Sequence, residues 1–372
     1  MDKLNIVIVS GVIFPRISPR AFRATELAKA LAKKGHAVTL IAALGKFDYS
    51  NFEKETGIKV KNLGNSKFEM LNSDGKVSIN IWKKAVIFAL MKLAHFPDSL
   101  LISKVKKAVL KEKNIDLLIT VAIPYPVHWG VSFITKKQKN FKTWISDCGD
   151  PFMGNEVTKP IFYFKYIEKL WGKRTDFITV PVIAAKDGYY SEVHSKIHEI
   201  PQGFDFSEVV LSSYIKNEVP TFLYAGLFYP ELRDPSKFLA YLCTLTVDFK
   251  FIIYTTKLDL VKPYLSVLKD KIEVRESVDR TTLMLEMSKV DFLINIENKG
   301  NTVQVPSKLI DYTLAQRPIL NISSDFHNEE KNNFDSFIMG DYSSKIVITN
   351  FERYDSKNIA AEFIKLYQLQ NV

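Results

Sequence analysis

Short runs of β-branched and other apolar residues alternate with stretches of helical period from one end of the chain to the other. The first run, NIVIVS at 5–10, precedes Ala21, Ala24, Leu27, Ala28 and Leu31. Those residues share one face of a helix predicted from about Ser18 to Lys34. Gly35 stands where that helix needs a left-handed cap, and AVTLIAA at 37–43 supplies a second buried strand. Strand, helix and strand in this order predict a parallel pair with a right-handed crossover. Further strands are predicted at 116–122, 142–147, 176–181 and 196–201, then at 222–226, 250–255, 271–277, 291–296 and 317–323. Continuous apolar strands between helices belong to parallel sheets covered on both faces. The fold class is therefore α/β with two doubly wound domains.

The pattern breaks at EIPQGFDFSE (199–208), where Pro201 and Gly203 interrupt it. The expected division is an N-terminal domain at 1–200, a second domain at 201–352 and a C-terminal segment at 353–372. The amphipathic stretch SKNIAAEFIKLYQL (356–369) needs a surface to dock on, and the first domain is the expected one.

Length and composition narrow the class. A chain of 372 residues suits two domains rather than one core. No period of roughly 20 to 50 residues repeats, which excludes solenoids and propellers. The two cysteines, Cys148 and Cys243, form neither a metal pattern nor a disulfide framework and fit a reducing compartment. No signal-peptide layout precedes the first strand. No apolar run reaches the roughly 18 residues of a membrane span; AVIFALMKLAHF is broken by Lys92 and His95. A cytoplasmic protein is expected. The net charge of +10 is uneven: residues 1–200 hold 32 Lys+Arg against 18 Asp+Glu, and the remainder is mildly acidic. Anionic membrane and nucleic acid are the two obvious partners for a basic half. No recognition helix or stacking sheet is visible for nucleic acid.

In open α/β sheets, ligands bind beyond the carboxyl ends of the strands. In the loop SGVIFPRISPR (10–20), Gly11 allows close backbone approach, and Arg16, Arg20 and Arg23 add positive charge near a helix N-terminus. The loop is not GxGxxG, so the dinucleotide fingerprint is absent. His128, in AIPYPVHWG (122–130), is a candidate catalytic group expected to face the cleft and to be biased neutral by the helix dipole. Asp147 and Asp150, in SDCGDPF (146–152), are placed to contact sugar hydroxyls, to act as a base, or to cap a helix. In YAGLFYPELRDP (224–235), Gly226 lets a phosphate approach and Arg233 offers a fork for it. In NKGNTVQVPSKLIDYTLAQRPIL (298–320), a helix start with Ser307 and Lys308 suits phosphate. Asp311, one turn in, suits a ribose diol.

Together these segments resemble the GT-B glycosyltransferases, in particular the large retaining family numbered four. RATELAKALAKKGHAVTLIA (23–42) is similar to that family's "ELA-x-x-LA-x-x-GH-x-V" start, and IPQGFD (200–205) to its "IPNGVD" hinge. VPSKLIDYTLAQRPIL (305–320) is similar to its "PSKLFEYMAAGKPVI" donor signature and is the specific match; YAGLFYPELRDP is a weaker fourth. The resemblance implies two facing Rossmann-like domains with a cleft between them, the first binding acceptor and the second a nucleotide-diphosphate sugar. It places Asp311 on the ribose, and Ser307, Lys308, Leu309 and Arg233 on the diphosphate. It places Gly11 on the donor phosphate from the other domain, and Asp150 before Pro151 on the acceptor side, with Arg16 and Arg20 nearby. Val303 stands where the family often has a first Glu; Asn298, Asn301 and Gln304 are neutral candidates for the sugar hydroxyls. Lys237 is a candidate second basic residue.

The implied activity is retaining transfer of a hexosyl group from a UDP- or GDP-sugar to a hydroxyl of a glycan or lipid-linked acceptor. Cell-surface polysaccharide synthesis in bacteria (capsule, O-antigen or lipopolysaccharide) is the implied setting. No metal or other cofactor is expected, because Arg233, Lys308 and helix N-termini supply the positive charge. Lys-rich apolar stretches at 81–96, 103–113 and 162–174 suit an anionic leaflet, making the enzyme peripheral on the inner face of the membrane. The competing readings are a GT-B sugar-nucleotide epimerase and a non-catalytic GT-B-like binding protein.

Overall fold

Ser18 and Pro19 show how closely local sequence sets these elements. In the computed structural model, which describes residues 2–16, 18–64, 81–155, 158–298 and 307–371, the Ser18 hydroxyl accepts from the Ala21 amide at 3.1 Å. Pro19 opens the helix, and Gly35 follows it with φ of +91°. The chain divides into two compact units, Met1–Asp205 with Glu352–Val372, and Phe206–Phe351.

The first unit runs β1 (Asn5–Ser10), α1 (Pro19–Lys33), β2 (Ala37–Ala42), α2 (Ser50–Thr56), β3 (Lys59–Asn62), α3 (Ile81–Ala94), α4 (Leu101–Lys111), β4 (Ile115–Val121), α5 (Pro126–Ser132), β5 (Phe141–Asp147), α6 (Phe164–Arg174), β6 (Phe177–Val180) and β7 (Ile197–Glu199). Its strands form one sheet in the order β3-β2-β1-β4-β5-β6-β7, and every pair is parallel. The edge strand β3, KVKN, carried no apolar run and was not predicted from the sequence.

The second unit runs β8 (Thr221–Ala225), α7 (Ser236–Leu242), β9 (Lys250–Tyr254), α8 (Lys262–Leu268), β10 (Ile272–Arg275), α9 (Arg280–Lys289), β11 (Phe292–Ile296), α10 (Ser307–Leu314), β12 (Ile319–Ile322) and α11 (Asn328–Ile338). Its parallel sheet has the order β10-β9-β8-β11-β12. Phe222 on β8 stacks between Phe251 and Phe292, with centroids 4.7 and 4.9 Å away, and so ties the central strands together.

The last helix, α12 (Ser356–Asn371), belongs to the first unit. Ile359, Ala360, Phe363 and Ile364 join the core beneath β1, β2 and β4, and the Arg23 guanidinium lies 5.3 Å over the Phe363 ring. The i, i+1, i+4, i+5 spacing of those apolar residues gives α12 its buried face.

Candidate functional site

The strand order of the second unit changes direction between β8 and β11, which is where an open α/β sheet leaves a crevice. A pocket of about 260 Å³ opens beyond the strand ends there, lined by Gly226, Tyr254, Thr255, Ser277, Lys308 and Asp311 among others. Gly226 ends β8 at φ of +143°, a conformation that a side chain would strain. It lets the chain turn directly over the pocket floor, which is made by Tyr312 and Met287.

Lys308 supplies the positive charge. It sits in the first turn of α10, donates to the Ile296 carbonyl at 3.2 Å, and lies 5.0 Å over the Tyr224 ring. Among the described residues no carboxylate pairs with it. Burial, with the Arg233 guanidinium nearby, lowers its pKa to about 7. The positive end of the α10 dipole adds to the same field.

Asp311 faces the pocket from the next turn. Arg280 at the start of α9 donates to its Oδ1 through Nε at 3.0 Å and Nη2 at 2.7 Å. Burial raises the Asp311 pKa, and Arg280 partly offsets this. Arg233 is held on a tight hairpin with Tyr229. It donates to Asn298 Oδ1 at 2.8 Å and to the Leu227 carbonyl at 3.2 Å, so Asn298 orients the fork rather than standing free.

The remaining expectations divide. The Leu309 side chain is buried in the core under the pocket, leaving only its backbone for a ligand. Ser307 begins α10; its side chain, with Asn301, Val303 and Gln304, lies outside the described residues. Lys237 forms an exposed ion pair with Asp325 at 2.8 Å. The pocket walls from β9 and β10, and Arg280 itself, were not singled out from the sequence. They occupy the loops after those two strands, where the same strand-end rule would have pointed.

In the first unit, Gly11 has a packing reason. A Cβ there would stand 2.3 Å from Pro124 Cδ, so the loops after β1 and β4 pack together only with glycine at 11. Arg23 is not an anion site. It is buried, forks onto Asp147 at 3.0 and 2.8 Å, and donates to the Ile200 and Pro201 carbonyls at 3.2 and 2.5 Å. Asp147 also accepts from Thr179 at 2.7 Å. Burial pushes its carboxyl up, but Arg23, Arg20 and Thr179 hold it below the usual range. Asp147 is therefore a structural carboxylate. Arg20 lies 3.8 Å from Asp147 and against Gly149, and Arg16 is exposed. The Asp150 side chain is exposed, and its carbonyl accepts from the Tyr125 hydroxyl.

His128 requires a correction. It does not face a cleft; it is fully buried. Its Nδ1 bonds Thr120 Oγ1 at 2.7 Å, its Nε2 lies 3.4 Å from Cys148 Sγ, and its ring stacks on Trp171. Burial lowers its pKa to about 3. The helical position was legible in the sequence, but the side of the helix was not. A neutral core histidine cannot exchange protons with a substrate.

No family model and no curated protein matches this chain. Solved structures do. A glycosyltransferase from Rickettsia africae ESF-5 matches with a TM-score of 0.61 at 12% identity, covering 99% of both chains. Anabaena Alr3699/HepE in complex with UDP matches with a TM-score of 0.61 at 9% identity, covering 99% of this chain and 100% of that one. The lipopolysaccharide outer core galactosyltransferase WaaB matches with a TM-score of 0.61 at 10% identity over the same shares. At such identities the likeness shows the fold, and the fold is the two-domain GT-B α/β architecture.

Proposed function

We propose that the chain is a glycosyltransferase whose second unit holds a nucleotide-diphosphate sugar. The observation that carries the reading is the half-buried Lys308, which has no carboxylate partner among the described residues, beside Asp311 in the pocket at the switch point of the second sheet. An ammonium so enclosed that its pKa falls to about 7 gains its charge back when an anion binds beside it. A diphosphate meets Lys308, the α10 amides and Arg233, while Asp311 takes the ribose hydroxyls. In the reaction, an acceptor hydroxyl oxygen bonds to the anomeric carbon, the bond from that carbon to the diphosphate breaks, and the hydroxyl proton passes to the departing diphosphate oxygen. Charge then gathers on the leaving group, where these groups stabilise it with no need for a metal. Retention of configuration is what the family resemblance implies. Asp150 is the exposed carboxylate for the acceptor hydroxyl; His128 is withdrawn from that role.

UDP-sugars come first among donors because HepE, which shares the fold, is described in complex with UDP. WaaB, a lipopolysaccharide galactosyltransferase by description, makes a cell-surface glycan or lipid-linked acceptor the first to try. The basic first unit suits a cytoplasmic enzyme working at an anionic leaflet. The test is incubation with a panel of UDP- and GDP-sugars, with and without a lipid-linked glycan fraction. Release of nucleoside diphosphate only when acceptor is present is expected. Interconversion of the donor without acceptor would overturn transfer in favour of epimerisation.

A further inference from the structure

Helix α3 reads IWKKAVIFALMKLA, an almost wholly apolar sequence. Such a helix is normally enclosed. This one is not: among its described side chains Val86, Phe88, Leu90, Met91 and Leu93 are 57%, 60%, 40%, 47% and 56% exposed. These positions lie all around the helix, so no single face is left to the core.

The helix is nevertheless fixed at its base. The Leu93 carbonyl accepts from the Tyr163 hydroxyl, and the Phe96 amide returns to the Leu90 carbonyl at 3.2 Å. His95 sits among Trp129, Phe152 and Phe164, with ring centroids 5.4–6.2 Å away. Two more bare aromatics flank Tyr163 along the chain, Phe162 and Tyr166, 70% and 66% exposed. An anchored base with an uncovered apolar body is the layout of an element that waits for an apolar medium.

The charges around it say which medium. Residues 81–113 hold eight lysines and two acidic residues. Of those two, Glu112 is already paired with Lys61 at 2.7 Å. Lys92 lies 5.2 Å over the Phe88 ring and Lys165 5.1 Å over the Tyr166 ring, so both ammonium groups ride at the edge of the apolar patch. Lysines rimming apolar and aromatic side chains match an anionic headgroup layer over acyl chains.

Length decides between crossing and lying in. Fourteen residues reach about 21 Å at ~1.5 Å per residue, short of the roughly 30 Å hydrocarbon core. Among the described residues no single helix is long and apolar enough to cross a membrane. The bent pair made with α4 would qualify by composition. However, α4 buries Val105 and Val109 in the core of the first unit and cannot leave it.

We propose that α3, together with Phe162 and Tyr166, is a monotopic anchor that inserts into the acyl boundary of an anionic lipid leaflet. This rests on the membrane-side acceptor reading above and deepens it. The contact is insertion rather than surface charge alone, and it sets the first unit against the layer where a lipid-linked acceptor resides. The helix satisfies its mid-helix backbone hydrogen bonds internally, and its lysine stems are long enough to keep their ammonium groups at the headgroups.

The experiment is vesicle flotation of the full chain with phosphatidylglycerol–phosphatidylcholine and pure phosphatidylcholine vesicles, at low and at about 0.5 M salt. The variant is Phe88→Ser with Leu93→Ser; both side chains are exposed, so the fold does not depend on them. Binding to anionic vesicles that persists in part at high salt, and falls roughly 100-fold in the variant, is expected. Absence of binding at low salt overturns the proposal. So does binding that salt abolishes and the substitutions leave unchanged, which is a charge contact only. A concentration-dependent dimer of the wild type that the variant loses, with no vesicle binding, assigns α3 to a second copy of the chain and also overturns it. Nucleotide titration of the same samples keeps the two readings apart. A chain that floats with vesicles but binds no nucleotide keeps the anchor and removes the donor site.

Discussion

Arg280 holds Asp311 by one oxygen: both guanidinium bonds, at 3.0 and 2.7 Å, land on Oδ1. Those two bonds fix the carboxylate, and Asp311 lines the pocket. A carboxylate fixed in this way accepts hydrogen bonds and is suited to a vicinal diol.

Asp311→Ala is expected to weaken nucleoside diphosphate binding by about 1.5–3 kcal/mol, the range for a hydrogen bond to a charged group. A 2′-deoxynucleotide should bind the wild type more weakly than its ribose counterpart, yet bind the variant equally well. Calorimetry of the four combinations checks the coupling directly. Equal losses for both nucleotides in the variant would remove the ribose contact.

Lys308 gives a pH signature. Its pKa is lowered to about 7 by burial, so near pH 7 it is partly neutral in the empty pocket. A bound diphosphate favours the charged form and raises that pKa. Binding therefore takes up a proton above pH 7. Affinity should fall by up to tenfold per pH unit from about pH 7 until the pKa of the complex is reached. Titrations in buffers of different ionisation enthalpy measure the uptake, and Lys308→Met should abolish it.

The Arg23–Asp147 pair is a stability element rather than a ligand site. Arg23→Ala leaves a buried carboxylate with only Thr179 and the more distant Arg20, and should cost about 3–5 kcal/mol in urea unfolding. Because the Asp147 pKa is depressed in the folded protein, its contribution is full above the unfolded carboxylate pKa of about 3.9 and is lost as pH falls through the folded value. The variant should lack that acid-side loss.

Phe363→Ala tests the docking of α12. The ring is fully buried in the first core, and its removal should cost about 3–5 kcal/mol. Nucleotide binding by the second unit should survive this change under conditions where the protein remains folded.

The strands were legible because buried parallel strands must be continuously apolar, as NIVIVS and DFLINI are. β3 was not, since an edge strand such as KVKN is satisfied by pairing with β2 alone. Gly226, Lys308 and Asp311 could be named from the chain because they begin elements after strands, and the structure brings all three to one pocket. Arg280 comes from another element, α9, and only the packing of α9 beside α10 joins it to Asp311. His128 and Arg23 were misjudged for a shared reason. Their residue types suit catalysis and anion binding, but burial turned each into a partner for the core. Spacing along a helix gives a periodicity without saying which neighbour fills the space beside it.

Calorimetric titration of UDP and GDP into the wild type, Lys308→Ala and Asp311→Ala tests the central claim most directly. Selective micromolar binding of one nucleotide by the wild type, weakened about tenfold or more in both variants, is the result expected. A folded wild type that binds neither nucleotide, or variants that bind as tightly as the wild type, would contradict a donor site in the second unit.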